Sequence, residues 1–307
     1  MKGRVIKSTG SWYSVKTDAG TIQARLRGKF KQDELKLTNP IAVGDYVLIE
    51  KEENQATSVI TDILPRENYI IRKSTRKTHF SHILASNIDQ AFLIVTLRNP
   101  RTSLGFIDRF LVSTESFRIP ASILVNKMDE SYKEKDLEYL ETIKEIYEPI
   151  GYPVLEISAL KEENLKEKFL PLLQGKATLL SGHSGVGKST FLNKLVPGAQ
   201  QATKEISKFS AKGVHTTTFA EMFELEGGGY LIDTPGIKEF GILDIQDQEL
   251  SHYFVEMRQY LGQCKYNNCK HINEPGCVVL EKLEEGYIHP YRYDSYVNML
   301  YEEESHR

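Results

Sequence analysis

Gly182-His-Ser-Gly-Val-Gly-Lys188-Ser189 fits the pattern G-x-x-x-x-G-K-[ST]. It follows the apolar run Ala177–Leu180 and precedes a segment with helical spacing, Lys188–Leu195. Glycines at this spacing let a backbone wrap phosphate oxygens with its N–H groups turned inward, and the helix that follows adds its positive end. Gly182, Ser184, Gly185, Val186, Gly187, Lys188, Ser189 and Thr190 are the candidate contacts. Lys188 is expected to reach the terminal phosphates, and Ser189 to bind Mg²⁺. A second cluster suits a metal. Cys264-x4-Cys269-x-His271-x5-Cys277 holds every cysteine of the chain. Three thiolates and one imidazole make a closed tetrahedral set of the kind structural Zn²⁺ prefers, with no position left open for catalysis.

A phosphate cradle does not say which base is bound. Asn126-Lys127-Met-Asp129 follows the strand-like run Ala121–Val125 and resembles the guanine-specificity motif of GTPases. Asp129 suits the guanine N1–H and exocyclic amine, whereas adenine leaves a carboxylate unpaired. Lys127 is expected along the base, and Asn126 as a tie between this loop and the phosphate loop. Ser158-Ala159-Leu160, after another strand, matches the second guanine-contacting loop. Asp233-Thr-Pro-Gly236 fits DxxG, with Asp233 acting on Mg²⁺ through water and the Gly236 N–H meeting the γ-phosphate. Thr216-Thr-Thr218 lies between the phosphate loop and DxxG, where a switch threonine belongs, and Thr217 is the chosen Mg²⁺ ligand. Ordinary GTPases run phosphate loop, switch threonine, DxxG, NKxD, SAx. Here NKMD and SAL come first, which is a circular permutation of that core.

The elements that must position these residues fall into three segments, expected as domains at 1–71, 72–240 and 241–307. The first carries five short runs rich in Val, Ile, Thr and aromatics: Gly3–Ser8, Trp12–Lys16, Thr21–Leu26, Asp45–Glu50 and Ser58–Leu64. Five strands in so short a stretch suggest a small closed β-barrel, with an OB-fold the natural candidate. Periodicity alone does not separate it from an SH3-like barrel. The polar stretch Arg72–Ser86 reads as a linker. Strand-like and helix-like runs then alternate: Ile88–Leu97, Leu104–Phe117, Ala121–Val125, Tyr132–Tyr147, Pro153–Ile157, Glu162–Leu173, Ala177–Leu180, Lys188–Leu195, Phe219–Leu225 and Gly229–Ile232. That alternation implies an α/β domain with a mostly parallel sheet. The third segment is expected to be mostly helical, around Gln246–Leu261, Val278–Glu285 and Pro290–Glu303, with the Cys/His cluster between.

Composition is that of an ordinary soluble protein, with 40% hydrophobic and 26% charged residues in 307. No apolar run approaches the ~20 residues of a membrane span, and the start offers no secretory apolar stretch. Three cysteines make no closed disulfide set, so a cytoplasmic, reducing location is expected. Net charge is −3, yet Lys2–Lys36 holds nine basic residues against three acids. A basic N-terminal third on an acidic body points to nucleic acid. Arg4, Lys7, Arg25, Arg27 and Lys29, with Trp12 and Tyr13, are the candidate RNA contacts.

Barrel, permuted motifs and Cys/His module together resemble the ribosome small subunit-dependent GTPase family, RsgA (also called YjeQ or YloQ). The resemblance covers nearly the whole chain. It implies an N-terminal OB-fold, a C-terminal zinc domain, GTP hydrolysis stimulated by the small ribosomal subunit, and a part in late maturation of that subunit. Nucleotide state is then expected to control ribosome binding and release, and a monomer is expected. Ile237 stands where many GTPases carry the Gln that orients water. The family assigns that role to the His of a Gly-x-His-Thr-Thr-Thr segment, which falls on His215, so His215, Lys188 and Thr217 are the expected catalytic residues. Three rivals remain: a GTPase of the same core serving another RNA or signalling partner, a non-enzymatic RNA-binding module with structural nucleotide, and an ATP-dependent kinase, which Asp129 disfavours.

Overall fold

A computed structural model describes residues 1–26, 40–51, 57–73, 81–199, 220–233 and 249–305. Five strands, β1 (Lys2–Ser8), β2 (Trp12–Thr17), β3 (Gly20–Leu26), β4 (Tyr46–Lys51) and β5 (Ser58–Ile63), close in the order β1-β2-β3-β5-β4 by a β1–β4 pairing. Only β3 and β5 run parallel within it. Alternate residues turn inward, and Val5, Tyr13, Val15, Ala24, Val47, Ile49 and Ile60 fill the barrel.

The stretch expected as a linker is not one. It contains the end of β6 (Tyr69–Lys73) and all of β7 (Ser81–Ser86), which pair antiparallel. Its apolar residues are few, and Ile83 and Ala85 of β7 are buried together with Ile70 of β6. Asp45, wholly buried, ties the barrel to this hairpin. Its carboxylate accepts both Nε (2.6 Å) and a terminal nitrogen (2.7 Å) of Arg66, and the Ser86 hydroxyl (2.6 Å).

The central sheet runs in the order β10 (Val154–Glu156), β9 (Ala121–Val125), β8 (Gln90–Val95), β11 (Ala177–Ser181), β13 (Tyr230–Asp233), β12 (Glu221–Glu224). All pairs are parallel except β12–β13. Successive residues of β8 point to opposite faces. Ala91, Leu93 and Val95 meet α1 (Leu104–Ser116) and α2 (Glu134–Tyr147), while Phe92 and Ile94 meet α3 (Leu165–Leu173) and α4 (Lys188–Leu195). A strand buried on both sides needs a continuous apolar run, which β8 has.

Barrel and central sheet join edge to edge through β1 and β12, paired at Lys7 and Glu221, into one sheet of eleven strands. This junction uses side chains expected to contact RNA. Lys7 Nζ is 2.7 Å from Glu221. Arg4 donates to the Asn87 carbonyl (2.6 Å) and lies between the rings of Tyr46 and Tyr230. Tyr13 is in the barrel core, 2% exposed. Trp12 stays 43% exposed and pairs with Arg25 across β2–β3. Arg27 and Lys29 lie outside the described residues.

The C-terminal module has a 3₁₀ turn (Leu250–Tyr253), α5 (Val255–Arg258), α6 (Val278–Glu284) and α7 (Pro290–Ser305). Where one helix was expected over Gln246–Leu261, the described part is the 3₁₀ turn followed by one short helix. Val112 of α1 is part of this module's core, with Phe254, Met257, Val279 and Tyr296.

Candidate guanine-nucleotide and metal sites

The phosphate loop leaves β11 and enters α4 through backbone that only glycine tolerates. Gly182 has φ +139°, and a Cβ there falls 2.2 Å from the Ile94 carbonyl oxygen. Gly187 has φ +99°, and its Cβ falls 2.2 Å from Asn126 Nδ2. Between them Ser184 and Gly185 are exposed and Val186 is buried. Lys188 Nζ donates to the carbonyls of Gly182 (2.5 Å) and His183 (2.8 Å). Burial lowers the Lys188 pKa, against the pull of the Asp233 carboxylate. Asp233 sits at the end of β13, in register with Leu180 of β11. Ser189 is exposed and Thr190 half-buried in the first turn of α4.

Asn126 joins three loops. Its buried amide donates from Nδ2 to the Val186 carbonyl (2.8 Å), and its Oδ1 accepts the Ala159 N–H (2.9 Å). Asn126 thus ties its own loop to the phosphate loop, as expected, and also reaches the Ser158–Leu160 loop. Asp129 accepts the Ser158 hydroxyl (2.6 Å) and faces Lys161 Nζ at 3.5 Å. Chiefly through the Ser158 hydrogen bond, its carboxyl is held below the usual carboxylate range. It is thus an ionised acceptor across neutral pH, the state that a pair of guanine N–H donors requires.

Three contributors escaped the sequence reading. Glu162 Oε2 accepts the Ser158 N–H (3.1 Å), and α3 begins three residues later, at Leu165. Its position four residues after Ser158 was the available signal. The Asn99 carbonyl accepts Lys127 Nζ (2.6 Å) and fixes the direction of that side chain. Phe106 of α1 stacks on His183, with ring centroids 3.7 Å apart. The last two come from the loop after β8 and from α1, and no local pattern marks them. His215, Thr216, Thr217, Thr218 and Gly236 lie outside the described residues.

The ligand atoms of Cys264, Cys269, His271 and Cys277 all lie within 4.8 Å of one another. Cys264 Sγ is 3.9 Å from Cys277 Sγ, and His271 Nδ1 is 3.4 Å from Cys277 Sγ and 3.6 Å from Cys264 Sγ. A tetrahedron with Zn–S bonds of ~2.3 Å has edges of ~3.8 Å, so the set fits zinc, with Nδ1 as the imidazole donor. Burial pushes the Cys269 thiol up to about 12. A thiol so placed gives up its proton to a bound cation, not to water at neutral pH. The loop is braced from outside. Glu274 accepts the N–H groups of Lys270 (2.7 Å), Ile272 (2.9 Å) and Asn273 (3.1 Å). Burial opposes its charge, yet these bonds prevail and hold its carboxyl at about 2. Tyr293 and Tyr296 donate to the carbonyls of His271 and Lys270.

The model of the RsgA N-terminal domain matches residues 2–60, and that of the RsgA GTPase matches residues 63–243. The chain belongs to the RsgA GTPase family. It is therefore a GTP-hydrolysing enzyme. It is 52% identical to the small ribosomal subunit biogenesis GTPase RsgA of Cytophaga hutchinsonii, with all of both chains aligned. Identity to the protein of that name from Bacteroides fragilis is 50%, over 99% of this chain and 97% of the relative. A crystal structure of YjeQ from Thermotoga maritima superposes with a TM-score of 0.77 at 35% identity, covering 98% of this chain and 97% of that one. A structure of YloQ, described as a circularly permuted GTPase, gives 0.76 at 30% identity, covering 100% and 96%. The closed five-stranded barrel falls largely within the residues matched as the RsgA N-terminal domain.

Proposed function

We propose that this chain assists late maturation of the small (30S) ribosomal subunit, binding it in one nucleotide state and leaving it in the other. The observation that carries the reading is the Asn126 junction, which joins the phosphate loop to the two loops read as contacting guanine, in a chain alignable end to end with relatives named for small-subunit biogenesis. In the proposed cycle GTP lies across the phosphate loop with its base against Asp129. Lys188 neutralises the β- and γ-phosphates, and Ser189 and Thr217 hold Mg²⁺, with Asp233 acting through water. The Gly236 N–H meets the γ-phosphate. His215 orients the attacking water, the role that the resemblance implies for the His of Gly-x-His-Thr-Thr-Thr, with Ile237 in the place of the usual Gln.

The zinc module and the barrel supply the ribosomal contacts. On the barrel, exposed Trp12 with Arg25 opposite offers base stacking beside a phosphate-seeking cation. The proposed protein works as a cytoplasmic monomer, and among its described residues no helix is long and apolar enough to cross a membrane. Co-sedimentation with purified small subunits tests the cycle. Binding in the presence of a non-hydrolysable GTP analogue should exceed binding with GDP and weaken steeply with salt. Equal binding in both nucleotide states contradicts it.

A further inference from the structure

Helix α1 touches both the phosphate loop and the zinc module. At its first turn Phe106 lies 3.7 Å from the His183 imidazole, with the ring planes 28° apart. His183 is the second residue of the phosphate loop, and its carbonyl is one of the two that hold Lys188 Nζ. Two residues beyond Phe106, Asp108 Oδ1 accepts Arg292 (2.6 Å) and the Tyr147 hydroxyl (2.7 Å), and Oδ2 accepts the Ser295 hydroxyl. The rest of the Arg292 fork goes to Glu256, at 2.6 and 3.1 Å. The guanidinium lies over the Phe254 ring, 4.6 Å from its centre. None of the three charged side chains is more than 2% exposed. Burial opposes the charge of Arg292, but Asp108 and Glu256 outweigh it and keep the guanidinium protonated.

The same face of α1 continues with Val112, in the zinc module's core, and Glu115, which pairs with Arg258 at 3.0 Å. Positions 108, 112 and 115 are spaced i, i+4, i+7, one stripe of a helix. Apolar packing alone can hold two domains together as firmly as a buried ion cluster. What the forked cluster adds is a single discrete geometry, which is either kept or broken. Phosphates entering the loop compete for Lys188 and so act on the His183 carbonyl. His183 is pressed flat on Phe106, so a shift of the loop reaches the first turn of α1.

We propose that α1 couples the phosphate loop to the zinc module, with Phe106 and Asp108 as positioning residues, so that guanine nucleotide sets how firmly the module is seated. The proposal rests on the reading of residues 182–189 as the nucleotide site. By linkage the effect runs both ways.

Hydrogen exchange on the full-length, zinc-loaded chain tests it. In the unaltered protein, saturating GDP or a non-hydrolysable GTP analogue should slow exchange over 255–258 and 290–301 by about five-fold or more. Phe106→Leu, which keeps apolar bulk without the stacked ring, should cut that protection to under about two-fold while leaving nucleotide-free exchange as it was. Conversely, Glu256→Gln should change the dissociation constant of a fluorescent GDP by about five-fold or more. Tyr147→Phe, which removes only one hydroxyl from Asp108, should shift it in the same direction and serves if Glu256→Gln does not fold. Unchanged exchange in the unaltered protein with GDP bound overturns the coupling, as does full protection in Phe106→Leu or an unmoved dissociation constant in the folded variants. Failure to bind fluorescent GDP overturns the nucleotide reading instead.

Discussion

In the proposed site, Asp129 and Asn126 divide the recognition of guanine between them. Asp129 supplies the acceptors, and Ser158 keeps them ionised. Because that folded-state pKa is depressed, the carboxylate persists above the ordinary Asp range and is lost only as pH falls through the lowered value. Two charge-assisted hydrogen bonds to guanine are worth ~1.5–3 kcal/mol each, so Asp129→Ala should weaken GDP binding by about a hundredfold or more and leave weak ATP binding where it was. Fluorescent-nucleotide titration checks this, and an equal loss for both nucleotides contradicts it. Asn126 does structural work at the same site, and Gly187 has no side chain because that amide occupies its place. At the catalytic step, His215→Ala should lower subunit-stimulated turnover by about a hundredfold while GDP affinity is kept. Comparable stimulated phosphate release by the variant contradicts the assignment. These candidates were legible in the sequence because each motif is a short contiguous run. Lys127's partner Asn99 and His183's partner Phe106 were not, since nothing near either residue in the chain encodes the contact.

Elements follow the same rule. Strands buried on two faces, such as β8 and β11, stand out as apolar runs, and the helices that cover them stand out by their period. The β6–β7 hairpin did not, because its apolar runs, Tyr69–Ile71 and Ile83–Ala85, are only three residues long and are flanked by charged and polar residues. The Asp45–Arg66 pair locks that hairpin down. Removing one partner of a buried ion pair strands the other, so Arg66→Met should cost about 3–5 kcal/mol in urea unfolding. Lys16→Gln is the contrasting case. Its 2.7 Å contact with Glu224 is made by side chains 34% and 53% exposed, and its loss should cost under about 1 kcal/mol. Similar losses for both variants contradict the distinction drawn here between buried and solvated pairs.

For the molecule as a whole, three modules are joined by contacts of quite different kinds. The barrel continues the central sheet through β1 and β12, and the zinc module sits on α1 by a buried charge cluster. Neither junction could be read from sequence, because each depends on residues more than a hundred positions apart. The order of the motifs, by contrast, was plain in the chain and fixed the permuted topology. Metal is expected to hold only the last module together. Purified protein should contain about one zinc per chain, and chelation should release exchange protection over 264–300 while the barrel and central sheet keep theirs. Loss of protection throughout the chain contradicts that division. The central claim, a guanine-selective hydrolase answering to the small ribosomal subunit, is tested most directly by phosphate release. The assay uses GTP with an ATP control, with and without purified small subunits. Slow hydrolysis of GTP alone, strongly accelerated by the subunit, is the expected result. GTP turnover unmoved by the subunit, or equal turnover of ATP, would contradict it.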